Sequence, residues 1–199
     1  MKTLLLRSAL VLAATVLPVF STTALAADGL KIVSSLPRTG SANAQTTSMV
    51  NGIKMAIAEV GGKIGEQVLS YEDWDDASPQ RGNWDPAVEA QNADKAIADQ
   101  SVVAYIGTYN SGAAKISMPK LNSAGIVMVS PANTAPNLTK SGFGESNEPA
   151  VYRPSGKVNY FRVVPTDDVQ GAVAADYAKE VGAKKVFVLN DREVYGKGV

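Results

Sequence analysis

The sequence predicts an α/β fold, a mostly parallel sheet flanked by helices. Three observations carry that prediction. Apolar runs at 30–36 (LKIVSSL), 67–71 (QVLSY), 102–106 (VVAYI) and 126–129 (IVMV) have the length of buried strands and are too short for helices. The segments between them repeat apolar residues at spacings of three and four, the period of an amphipathic helix. Strands that alternate with helices lie parallel, because each helical crossover returns the chain to the same end of the sheet.

The elements follow in order. The strand Leu30–Leu36 runs into Pro37-Arg38-Thr39-Gly40-Ser41, a cluster of turn residues. From Ala44 onward, Met49, Ile53, Ala56, Ile57 and Val60 mark the apolar stripe of a helix that Gly61-Gly62 stops. After the second strand comes a polar loop with Asp73, Asp75, Asp76, Pro79 and Gly82, read as solvated. It ends at Asp85-Pro86, a capping carboxylate followed by a proline whose missing N–H costs nothing at the first helical position. That helix runs through Ala87, Val88, Ala90, Ala93, Ala96 and Ile97, and a third is read around Ile116, Met118 and Leu121. Residues 133–159, rich in Pro, Gly, Ser and Asn, read as irregular loop whose length points to a functional or connecting role. Tyr160–Val164 reads as a strand crossing out of the first sheet. Thr166 is placed as the cap of a helix that carries Asp167 and Asp168 at its positive end, buries Val169, Ala172, Val173 and Val181, and stops at Gly182. Lys185–Leu189 reads as the next strand, with the chain stopping where a further helix is expected.

Composition narrows the function. The 199 residues carry 19 Lys+Arg and 19 Asp+Glu, with no His and no Cys. Balanced charge points away from a polyanion partner such as nucleic acid. Absent Cys removes disulfides, thiolate metal sites and cysteine nucleophiles; absent His removes the Ser-His-Asp triad and imidazole base catalysis. Residues 1–26 read as a signal peptide: Lys2 and Arg7 flank the start, an apolar run spans Ala9–Phe20, and Ala24-Leu25-Ala26 offers a small-x-small cleavage pattern before Ala27. No Cys follows the apolar run to take a lipid anchor, so the mature chain is expected free in the periplasm, with no stable membrane anchor.

Several of these features together resemble the periplasmic substrate-binding proteins of branched-chain amino-acid ABC transporters, the leucine/isoleucine/valine-binding type. They are the export signal, the Pro37…Gly40 turn, the Asp75-Asp76 loop, Ile106-Gly107-Thr108-Tyr109-Asn110-Ser111, the run Val129-Ser130-Pro131-Ala132-Asn133-Thr134-Ala135-Pro136-Asn137-Leu138-Thr139, and Asn190-Asp191…Tyr195-Gly196-Lys197-Gly198. The resemblance implies a two-lobed periplasmic-binding-protein-like fold. Residues 27–160 would then form the N-terminal lobe, incomplete without downstream chain, and 161–199 the crossover and the start of the second lobe. It also implies a receptor that captures a small amino acid or related polar ligand between its lobes and delivers it to a membrane permease. It implies a monomer when full length, no cofactor, no metal and no catalytic residue.

The loops at the carboxyl ends of the strands, 36–41, 107–111, 130–134 and 190–195, place the ligand physically, since open α/β sheets bind there. Hydroxyls and backbone N–H groups at helix starts can hold a carboxylate without a cation. The resemblance assigns the carboxylate to Ser111, carboxylate and ammonium to Thr134, the ammonium to the Ala132 carbonyl, and a closing role to Tyr195. Tyr109, Asn110 and Asn133 belong to the same loops, Arg38 belongs to the first, and Gln45 lies near it. Blander readings compete. Ser111 and Thr134 could serve as helix caps and Tyr195 as a packing aromatic. Asp73, Asp75 and Asp76 lack the glycine and glutamate of a calcium loop. Gly61–Gly65 follows a helix, the wrong order for a phosphate cradle, and Asn137-Leu138-Thr139 is a formal glycosylation sequon. Trp74 and Trp84 read as surface anchors or a partner patch. The alternative function is the ligand-binding sensor domain of a signalling receptor with the same fold; a secreted hydrolase is disfavoured by the absent His and Cys.

Overall fold

The computed structural model describes residues 29–199, so the expected signal peptide and its cleavage site lie outside the described residues. The elements run β1 (Leu30–Leu36), α1 (Asn43–Glu59), β2 (Lys63–Ile64), β3 (Gln67–Asp75), β4 (Ala77–Ser78), β5 (Asn83–Trp84) and α2 (Pro86–Ala98). Then follow β6 (Val102–Gly107), α3 (Ser111–Ala124), β7 (Val127–Ser130), β8 (Tyr160–Arg162), α4 (Gln170–Glu180) and α5 (Val194–Gly198). Six strands form one sheet in the order β2-β3-β1-β6-β7-β8, parallel throughout except for the short β2–β3 pairing. The β4–β5 pair is a separate hairpin.

Register divides the sheet into two unlike faces. Val33, Tyr105, Met128 and Tyr160 share one face and form a core with Ala96 of α2 and Ala114, Met118 and Leu121 of α3. All eight are at most 6% exposed. The opposite face carries Ile32, Ile106 and Val129, and among the described residues α1 packs against it. There Ile53, Ala56, Ile57 and Val60 of α1 face Ile32, Leu69 and Ile106 across an apolar groove, and α1 fully buries only Thr46 and Val50. Farther along that face, Val127 and Phe161 stand open.

Several expectations are corrected. The solvated loop after the second strand is instead the end of β3 plus the β4–β5 hairpin, which closes over Asp76 and leaves it 0% exposed. The same hairpin buries Trp84, and the sheet buries Trp74 beneath Lys95, so neither is a surface anchor. Gly40 meets the hairpin at φ +77, where a Cβ would stand 2.1 Å from the Gly82 carbonyl, a contact only glycine permits. Tyr160–Arg162 pairs with β7 as the edge strand of this sheet. The helix after Thr166 begins as a 3-10 turn, Asp167–Val169, before α4. Its predicted buried side is exposed (Val169, Val173 and Val181 at 60–61%), because no described element packs over it. Lys185–Leu189 forms no strand: no described strand lies beside it to pair its backbone, and its side chains stay open to solvent.

The long loop 133–159 is irregular, as expected, apart from two 3-10 turns, and one buried acid holds it to α3. Glu148 accepts from Lys115 Nζ (2.6 Å), Asn137 Nδ2 (2.7 Å), the Glu145 amide (3.1 Å) and the Tyr152 hydroxyl. Burial pushes its carboxyl up, but Lys115, Tyr152 and Asn137 outweigh that and hold it at about 2.

Candidate functional site

β6 and β7 end side by side, and the loops that leave them, 108–110 and 131–135, form the crevice where parallel sheets bind ligands. Buried hydrogen bonds fix these loops to each other. Ser130 Oγ donates to the Thr108 carbonyl (2.8 Å) and accepts from the amides of Ala132 (3.1 Å) and Asn133 (2.8 Å). Asn133 Nδ2 donates to the Tyr109 carbonyl (3.0 Å), and its Oδ1 accepts from the Tyr160 hydroxyl (3.0 Å). Arg162 then donates to the carbonyls of Asn133 (2.9 Å) and Ala135 (3.0 Å) and to Thr139 Oγ1 (2.7 Å). Burial, the first cause, drives the Tyr160 phenol up to about 12, so it stays a proton donor at any ordinary pH.

On this frame sits a cavity of about 280 Å³ lined by Tyr109, Asn110, Ser111, Ala132, Thr134 and Tyr195. Ligand cavities run from roughly 300 to 1,000 Å³, so this one suits a small molecule. Its lining holds no charged side chain. Its donors are also unspent. The helix α3 starts at Ser111, and no side chain caps it. Ala113 and Ala114 bond the Asn110 carbonyl, which leaves the amides of Ser111 and Gly112 without an acceptor among the described residues. Ser111 Oγ accepts a long bond from the Ala135 amide (3.4 Å) and keeps its own proton to give. The Thr134 hydroxyl and the Ala132 carbonyl make no hydrogen bond to any described residue. An uncapped helix start with two adjacent hydroxyls is a seat for an anion, and a free carbonyl across from it is a seat for a donor.

Six of the nine residues singled out in the sequence thus come together. The other three lie elsewhere. Asn133 is 0% exposed and turned inward as the staple described above. Arg38 is drawn off by Asp73 (Nε to Oδ2, 2.9 Å) and by Thr46 Oγ1 (2.8 Å), and Gln45 projects from α1 into solvent. Sequence reasoning passed over Thr108, Ser130, Tyr160 and Arg162, which build the site without lining it. No local pattern marks this role, because the bonds that tie the loops together through them span 22 to 29 residues.

A second polar cluster is buried where α2 packs on the sheet. Glu89 of α2 is fully buried and accepts from Ser35 Oγ (2.6 Å) and the Tyr105 hydroxyl (2.9 Å). Asp76 is buried with neither carboxylate oxygen partnered. Desolvation raises Glu89 to about 7, and desolvation together with the Glu89 and Asp75 charges raises Asp76 to about 8.

Comparison with known proteins decides the family. The periplasmic binding protein model matches residues 29–199. This chain belongs to the periplasmic binding protein family. The family is one of solute-binding receptors, not of enzymes. The chain is 33% identical to a Leu/Ile/Val-binding protein of Rhizobium johnstonii over 167 residues, 82% of this chain and 40% of that protein. The structure of a leucine binding protein from Thermotoga maritima superposes with a TM-score of 0.68 at 28% identity, over 85% of this chain and 43% of that one. An R. palustris ABC-transporter solute binding protein in complex with 4-hydroxybenzoate matches at 25% identity and a TM-score of 0.66, over 86% and 40%. The chain therefore spans less than half the length of these relatives. No described helix is long and apolar enough to cross a membrane.

Proposed function

We propose that this chain is the ligand-capturing part of an extracytoplasmic solute-binding receptor, which takes a small carboxylate, an amino acid first of all, for delivery to an ABC-transporter permease. Residues 1–26 are removed before Ala27, 27–160 make the first lobe, and 161–199 cross over and begin the second. The ligand is enclosed between the two lobes of a monomer. The matched relatives are more than twice as long as the stretch this chain covers, and the remainder would complete both lobes.

One observation carries the reading: an uncharged cavity at the ends of β6 and β7 into which the uncapped start of α3 and the hydroxyls of Ser111 and Thr134 converge. The carboxylate sits on the Ser111 and Gly112 amides and the two hydroxyls; the ammonium of an amino acid sits on the Ala132 carbonyl. Hydrogen bonds to a charged group contribute about 1.5–3 kcal/mol each, so three or four can offset the cost of immobilising a small ligand. Leucine and 4-hydroxybenzoate, the ligands of the two structural relatives, share only the carboxylate and an adjoining apolar body. Tyr109 and Tyr195 provide surface for the latter.

The test is calorimetry on the full-length protein with aliphatic, polar and acidic amino acids, and with aromatic acids as a second panel. Binding of at least one aliphatic amino acid is the expected result. Binding of aromatic acids alone would move the ligand class, and binding of neither panel would sink the proposal.

A further inference from the structure

The β4–β5 hairpin of the first lobe reaches across to the residues that open α5. Trp84, 6% exposed, comes so close to Gly112 at the start of α3 that a Cβ there would stand 2.7 Å from its Cζ2. The Glu193 carboxylate approaches the same point, 3.5 Å from that Cβ position. Arg81, within the hairpin turn, is tied to Trp84 twice: its Nε donates to the Trp84 carbonyl (3.1 Å), and its guanidinium lies 5.7 Å from the indole centroid. From there Arg81 Nη2 reaches Glu193 Oε1 at 3.7 Å. Glu193 is itself placed, its amide donating to Asp191 Oδ1 (2.9 Å) and its carbonyl accepting from the Lys197 amide (3.0 Å). The next residue, Val194, packs on the core, and Tyr195 lines the cavity.

We infer that Arg81 and Glu193 are positioning residues of the ligand site: their ion pair, backed by Trp84 against Gly112, holds the start of α5 to the start of α3 and seats Tyr195 over the cavity. The inference rests on the reading of 190–199 as the far wall of the ligand cleft. It gives the buried Trp84 and the glycine at the second position of α3 one shared purpose. The indole needs the room that Gly112 leaves, and the guanidinium needs the indole to be aimed. Both charges are partly open to solvent, at 45% and 38% exposure. Each therefore contributes modestly to the fold and chiefly to where α5 lies.

The test is a charge-swap cycle in the full-length protein, read as the Kd for L-leucine by calorimetry. Arg81→Glu and Glu193→Arg are each expected to weaken binding about threefold to fivefold, the scale of a partly exposed pair. The double swap is expected to recover to within about twofold, with the melting temperature steady throughout. Additive losses in the double swap, or no loss in either single variant, would overturn the inference. If the wild type binds no L-leucine, the amino-acid reading fails on its own, and the inference is judged without ligand. These 199 residues hold no cysteine, so Arg81→Cys with Glu193→Cys adds the one thiol pair among them, in a full-length background with any downstream cysteine first replaced by serine. A short bismaleimide should bridge it within one molecule, whereas a Ser48→Cys and Glu193→Cys control should not bridge. No bridge, or equal bridging of both pairs, contradicts the placement.

Discussion

The helices α2 and α3 pack on the same sheet face, yet their first turns are built in opposite ways. At α2, Asp85 Oδ1 accepts from the Ala87 amide (2.8 Å), Ser78 Oγ donates to Asp85 Oδ2 (2.7 Å), and Pro86 removes one donor altogether. At α3, Asn110 caps nothing, the amides of Ser111 and Gly112 have no acceptor among the described residues, and Ser111 lines the cavity. The chain closes α2 with its own side chains and leaves α3 open. Capping stabilises a helix, so an uncapped α3 forgoes stability that an anion bound at its start would return.

The largest effect should come from closing α3 the way α2 is closed. Asn110→Asp places a carboxylate on the free amides and against the incoming anion. Binding of L-leucine should weaken about 100-fold, equivalent to losing ~3 kcal/mol of charged hydrogen bonding, while the melting temperature holds or rises. Ser111→Ala removes one donor and should weaken binding about tenfold by calorimetry. Its melting temperature should barely move, because Ser111 Oγ accepts only the 3.4 Å bond from Ala135.

Two further changes sharpen the α2 side. Glu89 is raised to about 7 and Asp76 to about 8, so the folded state holds protons that the unfolded state releases above pH ~4. The stability contributed is complete below pH ~4 and is lost as pH rises through 7 to 8. Urea titrations should show the wild type weakening from pH 5 to pH 8, and Glu89→Gln should flatten that slope. Asp85→Ala should lower the melting temperature by a few degrees and leave L-leucine binding unchanged. Ser78 and the Ala87 amide hold the Asp85 carboxyl below its ordinary value. The deficit of the Ala variant should therefore be present at neutral pH and shrink as pH falls below the carboxylate range.

The contrast also separates what the sequence discloses from what it hides. Asp85-Pro86 is legible because capping is local: the acceptor, the proline and the amide lie within three residues. The cavity-lining residues are legible for a related reason, since strand ends and helix starts fix where Ser111, Ala132 and Thr134 must lie. Asn133 stands between two of them and reads as a ligand residue, yet its orientation is set by Tyr160 and by Thr108, 27 and 25 residues away. Asp76 and Trp84 read as exposed because the hairpin that buries them, 77–84, carries no periodic apolar signal. The apolar stripes of α1 and α4 are real, but a stripe states only that a helix has a side to bury. It does not name the neighbour, and for Val169, Val173 and Val181 none is present among the described residues.

In the proposed function, a carboxylate is held by helix amides and hydroxyls without a cation. The most direct measurement pairs L-leucine with L-leucinamide, which keeps the ammonium and the side chain but replaces the carboxylate by a neutral amide. Calorimetry on the full-length protein should show the amide binding at least about 30-fold more weakly, the worth of one to two hydrogen bonds to a charged group, with that gap narrowing in Ser111→Ala. Equal affinity for the acid and the amide, or a gap untouched by Ser111→Ala, would contradict it.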